Sequence, residues 1–533
     1  MIKTNKIDEV KSPNHQMLQG TMILTITSLI VKILSAVYRV PFQNLVGDEG
    51  FYVYQQVYPI YGIGMTLALS GLPVYLSKLI AAEEKPSKAR QYTYLFFVMV
   101  SVLSFIAFLV LFLGSNQMAL LMGDVKLASS IRAVSFLYLV VPFLASYRGG
   151  YQGQLNMRPT AFSQLVEQGV RVIIILLAGA IYTVVEISIY KVGMLAMLGS
   201  VFGAIGGLLV LIFMNREGVK LFEKPQLTKQ EIQRFFRRLL SEGGTLCIFS
   251  AYLVFFQLVD SFAVKNALEI SGVSELLAKT TKGIYDRGQP LVQVGLVISV
   301  SMTTTFIPLL TRYFANNQEK SYEKLVQSFL KLSFTVSSAA GVGLALVLPY
   351  INVTLFKDNK EGLSLSLYAL SVFFVAMIQA YQAIYQSRNR VKLPFLAAIV
   401  GLFVKLMLTA NLTIAYGTVG TSLSTIIGLA TCLIAMHLKL KKDLEFSLFS
   451  WTYYVKIGIT LGSMIALLSF YQRFLAQWLW IDWGRMVTLL LTLVGVGLGV
   501  GIVIICLIHL KIFTTDEWDM LPGGKKMKAK FKR

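Results

Sequence analysis

The sequence predicts an all-α polytopic membrane protein with 14 transmembrane helices: two six-helix lobes plus two C-terminal helices around a central cavity. Three observations predict it. Hydrophobic residues fill 55% of the 533 positions and charged ones 14%, with a mean hydropathy of +0.66, whereas soluble domains are about 25% charged. The apolar residues gather into runs that reach the roughly 20 residues a bilayer crossing needs. A segment within the first half is also echoed at a matching place in the second.

The first span, near 20–42, opens at Gly20-Thr21 behind a polar segment. It is too long for a signal-peptide core and lacks a small-residue cleavage site, so it reads as a retained helix. The second, near 52–78, is interrupted by Pro59 and Pro73, and two more follow near 92–114 and 129–147. The fifth, near 159–182, begins at Pro159, where a first-turn proline forfeits no hydrogen bond. The sixth, near 190–214, carries Gly199, Gly203 and Gly207, a small-residue face for close helix approach.

A polar cytoplasmic linker at 219–242 then separates an N-terminal lobe at 1–218 from a C-terminal lobe at 243–442. The second lobe places spans near 243–264, 283–311, 324–349, 363–386, 393–416 and 418–440. Gly244-Thr245 opens the first of these, and Pro290 and Pro308 interrupt the next, as in the first lobe. Interrupted spans at corresponding places point to the substrate-lining helices. Two last helices, near 452–472 and 485–510, occupy 443–513, and 514–533 is a basic cytoplasmic tail.

The repeat is legible as residues. YRGGYQGQLNMRPTAFSQLVEQGVRV starts at Tyr147 and YQAIYQSRNRVKLPFLAAIVGLFVKL at Tyr381; Tyr151-Gln152 and Tyr385-Gln386 each precede a base, Arg171 or Lys405, by 20 positions. Six spans per half make the repeats parallel, with the substrate site between them. An even count puts both termini on one side. Lys78, Lys85, Lys88, Arg90, Arg388, Arg390 and the tail lysines make that side cytoplasmic by the positive-inside rule. The same rule absorbs the net charge of +22. No basic, aromatic-interleaved soluble module is present, so no nucleic acid is expected, and the tail suits anionic membrane lipids.

Enzymatic chemistry finds no support. There is no GxxxxGK[ST] phosphate loop. His15, His437 and His509 join no nucleophile, and Cys247, Cys432 and Cys506 have no metal or disulfide spacing. We therefore expect no catalysis, cofactor or metal. The informative residues are bases inside the membrane: Lys32 near the midplane, Arg39, Arg132 and Arg287 in the outer half, and Lys405. Such residues face cavities or partners rather than lipid, although the shallower ones have snorkelling as a plainer reading. Asp286 adjoins Arg287. Glu167 and Arg171 are spaced i, i+4 and expected to pair. Asp260, with Asn411, Thr421 and Thr425 at similar depth, is a candidate Na⁺ site; coupling to Na⁺ or to the membrane potential is expected.

These features resemble a known family. The six, six and two arrangement with the YQG…N…P…Q…R segment is similar to the polysaccharide-exporter branch of the MOP superfamily. YDRGQPLVQVGLVISVSMTTTFIPLLTR resembles the matching stretch of MurJ-type lipid II flippases, as do Lys32 and Arg39 followed by a Gly-acid loop. Over nearly its full length the chain looks most like Gram-positive SpoVB/YtgP-type members. The resemblance implies a flippase in the cell membrane for an undecaprenyl-pyrophosphate-linked glycan, lipid II first, beside the cell-wall synthesis machinery. Lys32, Arg39, Arg287, Asp286, Arg132 and Lys405 are its expected cavity residues. The alternatives are another lipid-linked polysaccharide, or a MATE-like cation or drug antiporter. The chain departs from the MurJ-type pattern in two places: the first base is Lys, and the second span has VYQQVYPIYGIG where the family carries a further Arg.

Overall fold

The computed structural model describes residues 13–215, 222–224, 228–390, 392–443, 449–478, 485–514 and 517–518. Among them every regular element is a helix. The first lobe contains α1 (Pro13–Val37), α2 (Arg39–Thr66), α3 (Leu72–Ala81), α4 (Pro86–Leu113), α5 (Ser115–Leu121), α6 (Ala128–Ser135), α7 (Leu137–Gly153), α8 (Arg158–Val184) and α9 (Ile189–Met214). A linker helix α10 (Lys229–Arg238) leads into α11 (Gly244–Ser250), α12 (Tyr252–Ile270), α13 (Glu275–Asp286), α14 (Gly288–Gly295) and α15 (Val297–Ala315). Then come α16 (Glu319–Phe356), α17 (Gly362–Ala369), α18 (Ser371–Ser387), α19 (Lys392–Asp443), α20 (Trp451–Trp478) and α21 (Arg485–His509).

Among the described residues eleven stretches are long and apolar enough to cross a membrane, and Lys229–Ser250 with Tyr252–Ile270, bent by 68°, makes a twelfth if the pair is one broken span. Two of the eleven, Ile26–Ala81 and Lys392–Leu440, double back. Gly47 (φ 70°) and Gly417 (φ 59°) sit at the bends, in the backbone region glycine occupies without a Cβ penalty. The arms touch on either side: the Tyr38 and Tyr54 hydroxyls are 2.5 Å apart, and Thr413 and Thr421 bond at 2.9 Å. The sequence count of 14 treats each hairpin as two spans.

Burial separates into two main apolar clusters, one drawn from residues 38–211 and one from 249–513. The echo in the sequence is an echo in bonding. Tyr151 donates its hydroxyl to the Leu211 carbonyl at 3.3 Å, and Tyr385 donates to Met436 at 3.1 Å, each reaching the last helix of its lobe. The glycine face packs as its sequence suggests: a Cβ on Gly203 would stand 2.5 Å from the Glu167 carbonyl oxygen, and one on Gly207 3.0 Å from that of Ser163.

The linker docks on the first lobe. Thr228 and Glu231 cap α10 reciprocally, and Phe235 is buried against Tyr75 and Tyr92. Glu223 accepts from Ser87 and Arg90 at 2.8 Å each; these bonds hold its carboxyl below the ordinary range.

Candidate functional site: a cavity between the lobes and its buried cations

A cavity of about 340 Å³ lies between the lobes. It runs from Ser35 and Tyr58 toward Ser70, away from the Gly47 bend. One wall carries Lys32, Tyr58, Tyr61 and Gln168; the other carries Gln293, Gln379 and Gln382. Lys32 is accessible to solvent within this cavity yet surrounded by protein, and among the described residues it is the one charged residue in the lining.

Arg39 lies beyond the Tyr58 end. It is fully buried, and none of its three guanidinium nitrogens makes a well-aligned hydrogen bond, the nearest phenol being that of Tyr38. Its Cζ stands 4.2 Å from the Tyr58 ring centroid. A desolvated cation–π contact of about 2 kcal/mol offsets only part of the several kcal/mol that a buried, unpaired ion costs. Such a group is poised for an anion.

Both terminal nitrogens of Arg171 find partners without a carboxylate, while its buried Nε has none. The two donate to the hydroxyls of Tyr38 (2.8 Å), Tyr54 (2.6 Å) and Tyr61 (2.9 Å), and to Gln168 at 3.3 Å. This corrects the expected Glu167–Arg171 pair. Glu167 instead takes Arg148 at 2.6 Å, because α7 delivers a guanidinium to it while the first hairpin surrounds Arg171 with phenols. Arg148 is fully buried and also donates to Ser163 at 2.6 Å and to the Ala68 carbonyl at 3.2 Å.

Two residues of the expected Na⁺ site are engaged within the protein: Lys405 Nζ donates to Asp260 at 2.6 Å and to Thr425 at 2.7 Å. Thr421 bonds Thr413, and Asn411 is exposed and turned to the Met407 carbonyl of its own helix at 3.3 Å. The four residues do not converge. Lys405, in turn, is withdrawn from any cavity lining.

Arg287 spans the two lobes on the Gly47 side. It donates to Asp48 at 2.5 Å and Asp358 at 2.7 Å, with Asn352 at 3.4 Å. Gln43 donates to Asp48 at 2.7 Å, and Gly283 packs so closely on the Asp48 carbonyl that a Cβ has no room. That face is closed, and Arg287 is a latch rather than a free clamp. Asp286 is held by Lys282 at 2.6 Å and by Gln289 at 2.9 Å. Arg132 is exposed and bonds Ser115 (2.8 Å) and Asn116 (2.9 Å); it faces away from the cavity, which corrects its expected role.

Lys282, Asp48, Asp358 and the phenol cluster were not singled out from sequence. Lys282 and Asp286 are spaced i, i+4, and Tyr54, Tyr58 and Tyr61 follow i, i+4, i+7, spacings that share a helix face. Both patterns were legible signals.

Two lobes around a cavity closed on one face give this chain a fold similar to that of solved MurJ and MATE transporters. An inward closed structure of the lipid II flippase MurJ superposes with a TM-score of 0.67 at 15% identity, over 92% of this chain and 99% of that one. An inward-facing MATE family transporter of the MOP superfamily gives 0.64 at 12% identity, over 81% and 98%. The chain belongs to the polysaccharide biosynthesis protein family, which it matches over residues 17–314. It is 35% identical to the uncharacterized membrane protein YabM of Bacillus subtilis (strain 168), over 99% of this chain and 98% of that protein. It is 25% identical to lipid II flippase MurJ of the same organism, over 81% and 84%.

Proposed function

We propose that the chain is a flippase that carries an undecaprenyl-pyrophosphate-linked glycan, lipid II, from the cytoplasmic to the outer leaflet by alternating access, with both termini in the cytoplasm. The observation that carries this reading is Arg39: a fully buried guanidinium whose three nitrogens make no well-aligned hydrogen bond, next to a cavity whose one lining charge among the described residues is Lys32. A pyrophosphate is the complementary cargo, since Arg offers it a planar fork of donors. The relationship to a protein named lipid II flippase MurJ supports the choice of glycan. A drug–cation antiporter fits less well, because among the described residues no acidic side chain lines the cavity.

Arg287 serves in this reading as the outer gate, released as the lobes rock. An inside-negative membrane potential drives an anion outward, contributing about 2.3 kcal/mol per charge per 100 mV; with Lys405 in the candidate Na⁺ site, we assign the coupling to this potential. The test is depletion of the protein in cells followed by measurement of lipid-linked precursors by leaflet. Accumulation of lipid II in the inner leaflet supports the proposal. An unchanged lipid II distribution, with another lipid-linked glycan accumulating, overturns the choice of cargo.

A further inference from the structure

A second pocket, of about 690 Å³, lies beyond the inter-lobe cavity on the side away from the Gly47 bend. Ser70 and Ser250 line the cavity; Tyr75 and Leu246, about one helical turn further along the same two stretches, line the pocket. Gly71 and Cys247 lie between them and pack so closely that a Cβ on Gly71 would stand 2.8 Å from the Cys247 Cα. The two spaces are therefore arranged in series. The linker helix α10 forms one wall of the pocket and α3 with the start of α4 the other, and Asn389 of the C-terminal lobe also lines it.

The lining is prepared for an anion. Lys78, Lys88 and Arg234 face the pocket and make no ion pair among the described residues. Arg238 is taken by Glu242 at 3.0 Å, and the Glu231 carboxylate accepts from the Thr228 backbone N–H at 2.8 Å in the cap of α10. Glu83 is the remaining carboxylate of the lining, so three free bases face one acid. Tyr75 is 2% exposed, and its hydroxyl is buried with no hydrogen-bond partner. A buried hydroxyl left unpaired is costly, and a ligand oxygen that accepts from it removes the cost.

We propose that this pocket is a loading site for the sugar-diphosphate head group of a lipid-linked glycan, filled before that group enters the cavity; the inference rests on the flippase reading. In the proposed orientation the pocket lies on the cytoplasmic side, where the cargo starts. Arg234 offers a phosphate a planar fork, and the two lysines act as point charges. A lone phosphate would leave most of the volume empty, whereas an attached sugar can set its hydroxyls against Glu83 and Asn389. A head group held here touches both lobes and the linker between them.

The experiment uses the full chain in phosphatidylcholine nanodiscs with Leu79→benzoylphenylalanine, a photoreactive side chain in the pocket wall, and reads cross-linking to fluorescent lipid II. Each base removed should weaken binding roughly fivefold, so Lys78→Gln with Arg234→Gln should raise the half-saturating concentration about 25-fold. Tyr75→Phe should raise it about fivefold at an unchanged unfolding temperature, since its hydroxyl has no partner in the protein to lose. Lys191→Gln, outside the pocket, should change nothing. Lys78 and Arg234 are exposed, and an unchanged unfolding temperature confirms that the double variant is folded. Half-saturation of the double variant at the parent concentration, or no cross-link in a parent that translocates lipid II, overturns the loading site and leaves the flippase reading standing. Base-dependent cross-linking in a parent that does not translocate lipid II keeps the site and overturns the flippase reading. Displacement of lipid II by uridine diphosphate N-acetylglucosamine at equal affinity assigns the pocket to a soluble sugar nucleotide instead.

Discussion

Removing Asp260 alone and removing it together with Lys405 should have opposite consequences. The two side chains are 2% and 0% exposed and bond at 2.6 Å. Asp260→Ala leaves the Lys405 ammonium with one neutral acceptor, Thr425 Oγ1. Lys405→Met leaves a buried carboxylate with no donor in its place. Breaking one half of such a pair costs about 3–5 kcal/mol, whereas replacing both halves with apolar groups of similar volume is near neutral or stabilising. The double change Asp260→Leu with Lys405→Met should therefore recover most of what either single change loses. Thermal unfolding in detergent with a thiol-reactive dye reads this out, because Cys247 and Cys432 are buried until the lobes open; Cys506 is replaced by Ser in all variants. Both single variants should unfold several degrees below the parent, and exchanging NaCl for choline chloride should leave the parent unmoved. Single variants as stable as the parent, or a stabilisation specific to Na⁺, would refute the tethered-cation reading.

Other predictions follow from the latch and the helix crossing. Asp48 and Asp358 are 17% and 29% exposed, so solvent screening holds each pair to Arg287 to about 1 kcal/mol. Asp358→Asn should then raise the open population on that face roughly fivefold, measured as the distance distribution between spin labels at Glu49→Cys and Lys360→Cys in a cysteine-free background; an unchanged distribution removes the gate. Gly203→Leu should destabilise the protein by about 1–3 kcal/mol through overpacking, since even a Cβ meets the Glu167 carbonyl. Gly497→Leu, on the last helix and facing open space, should not. Glu167→Gln should lower the unfolding temperature by weakening the buried pair with Arg148, while Arg171 keeps its phenol contacts.

Much of the fold was legible because membrane insertion writes it in one dimension: apolar runs give the helices, and the repeat at Tyr151 and Tyr385 gives two like lobes. The bases inside the membrane were legible too, as residues out of place. Their partners were not. Glu167 has Arg171 at i+4 and, from another helix, Arg148 at 2.6 Å; local spacing ranks the first pair, and only tertiary packing decides for the second. Lys405 and Asp260 are 145 positions apart, and Arg287 and Asp48 are 239 apart, so nothing local in the chain joins them. Depth along a helix can be read from its sequence. The direction a side chain takes across a lobe interface depends on bends such as Tyr38, Ala251 and Gly47, which the apolar pattern does not locate.

In the proposed flippase, Arg39 meets the anionic part of the cargo. The most direct measurement is the rate at which purified protein in liposomes translocates fluorescent lipid II, compared for the parent, Arg39→Gln and Arg132→Gln. A charged hydrogen bond is worth about 1.5–3 kcal/mol, so Arg39→Gln should slow translocation by at least about tenfold, with its unfolding temperature no lower than that of the parent. Arg132→Gln, turned away from the cavity, should keep the parent rate. Translocation at the parent rate by a folded Arg39→Gln protein would show that Arg39 does not hold the cargo.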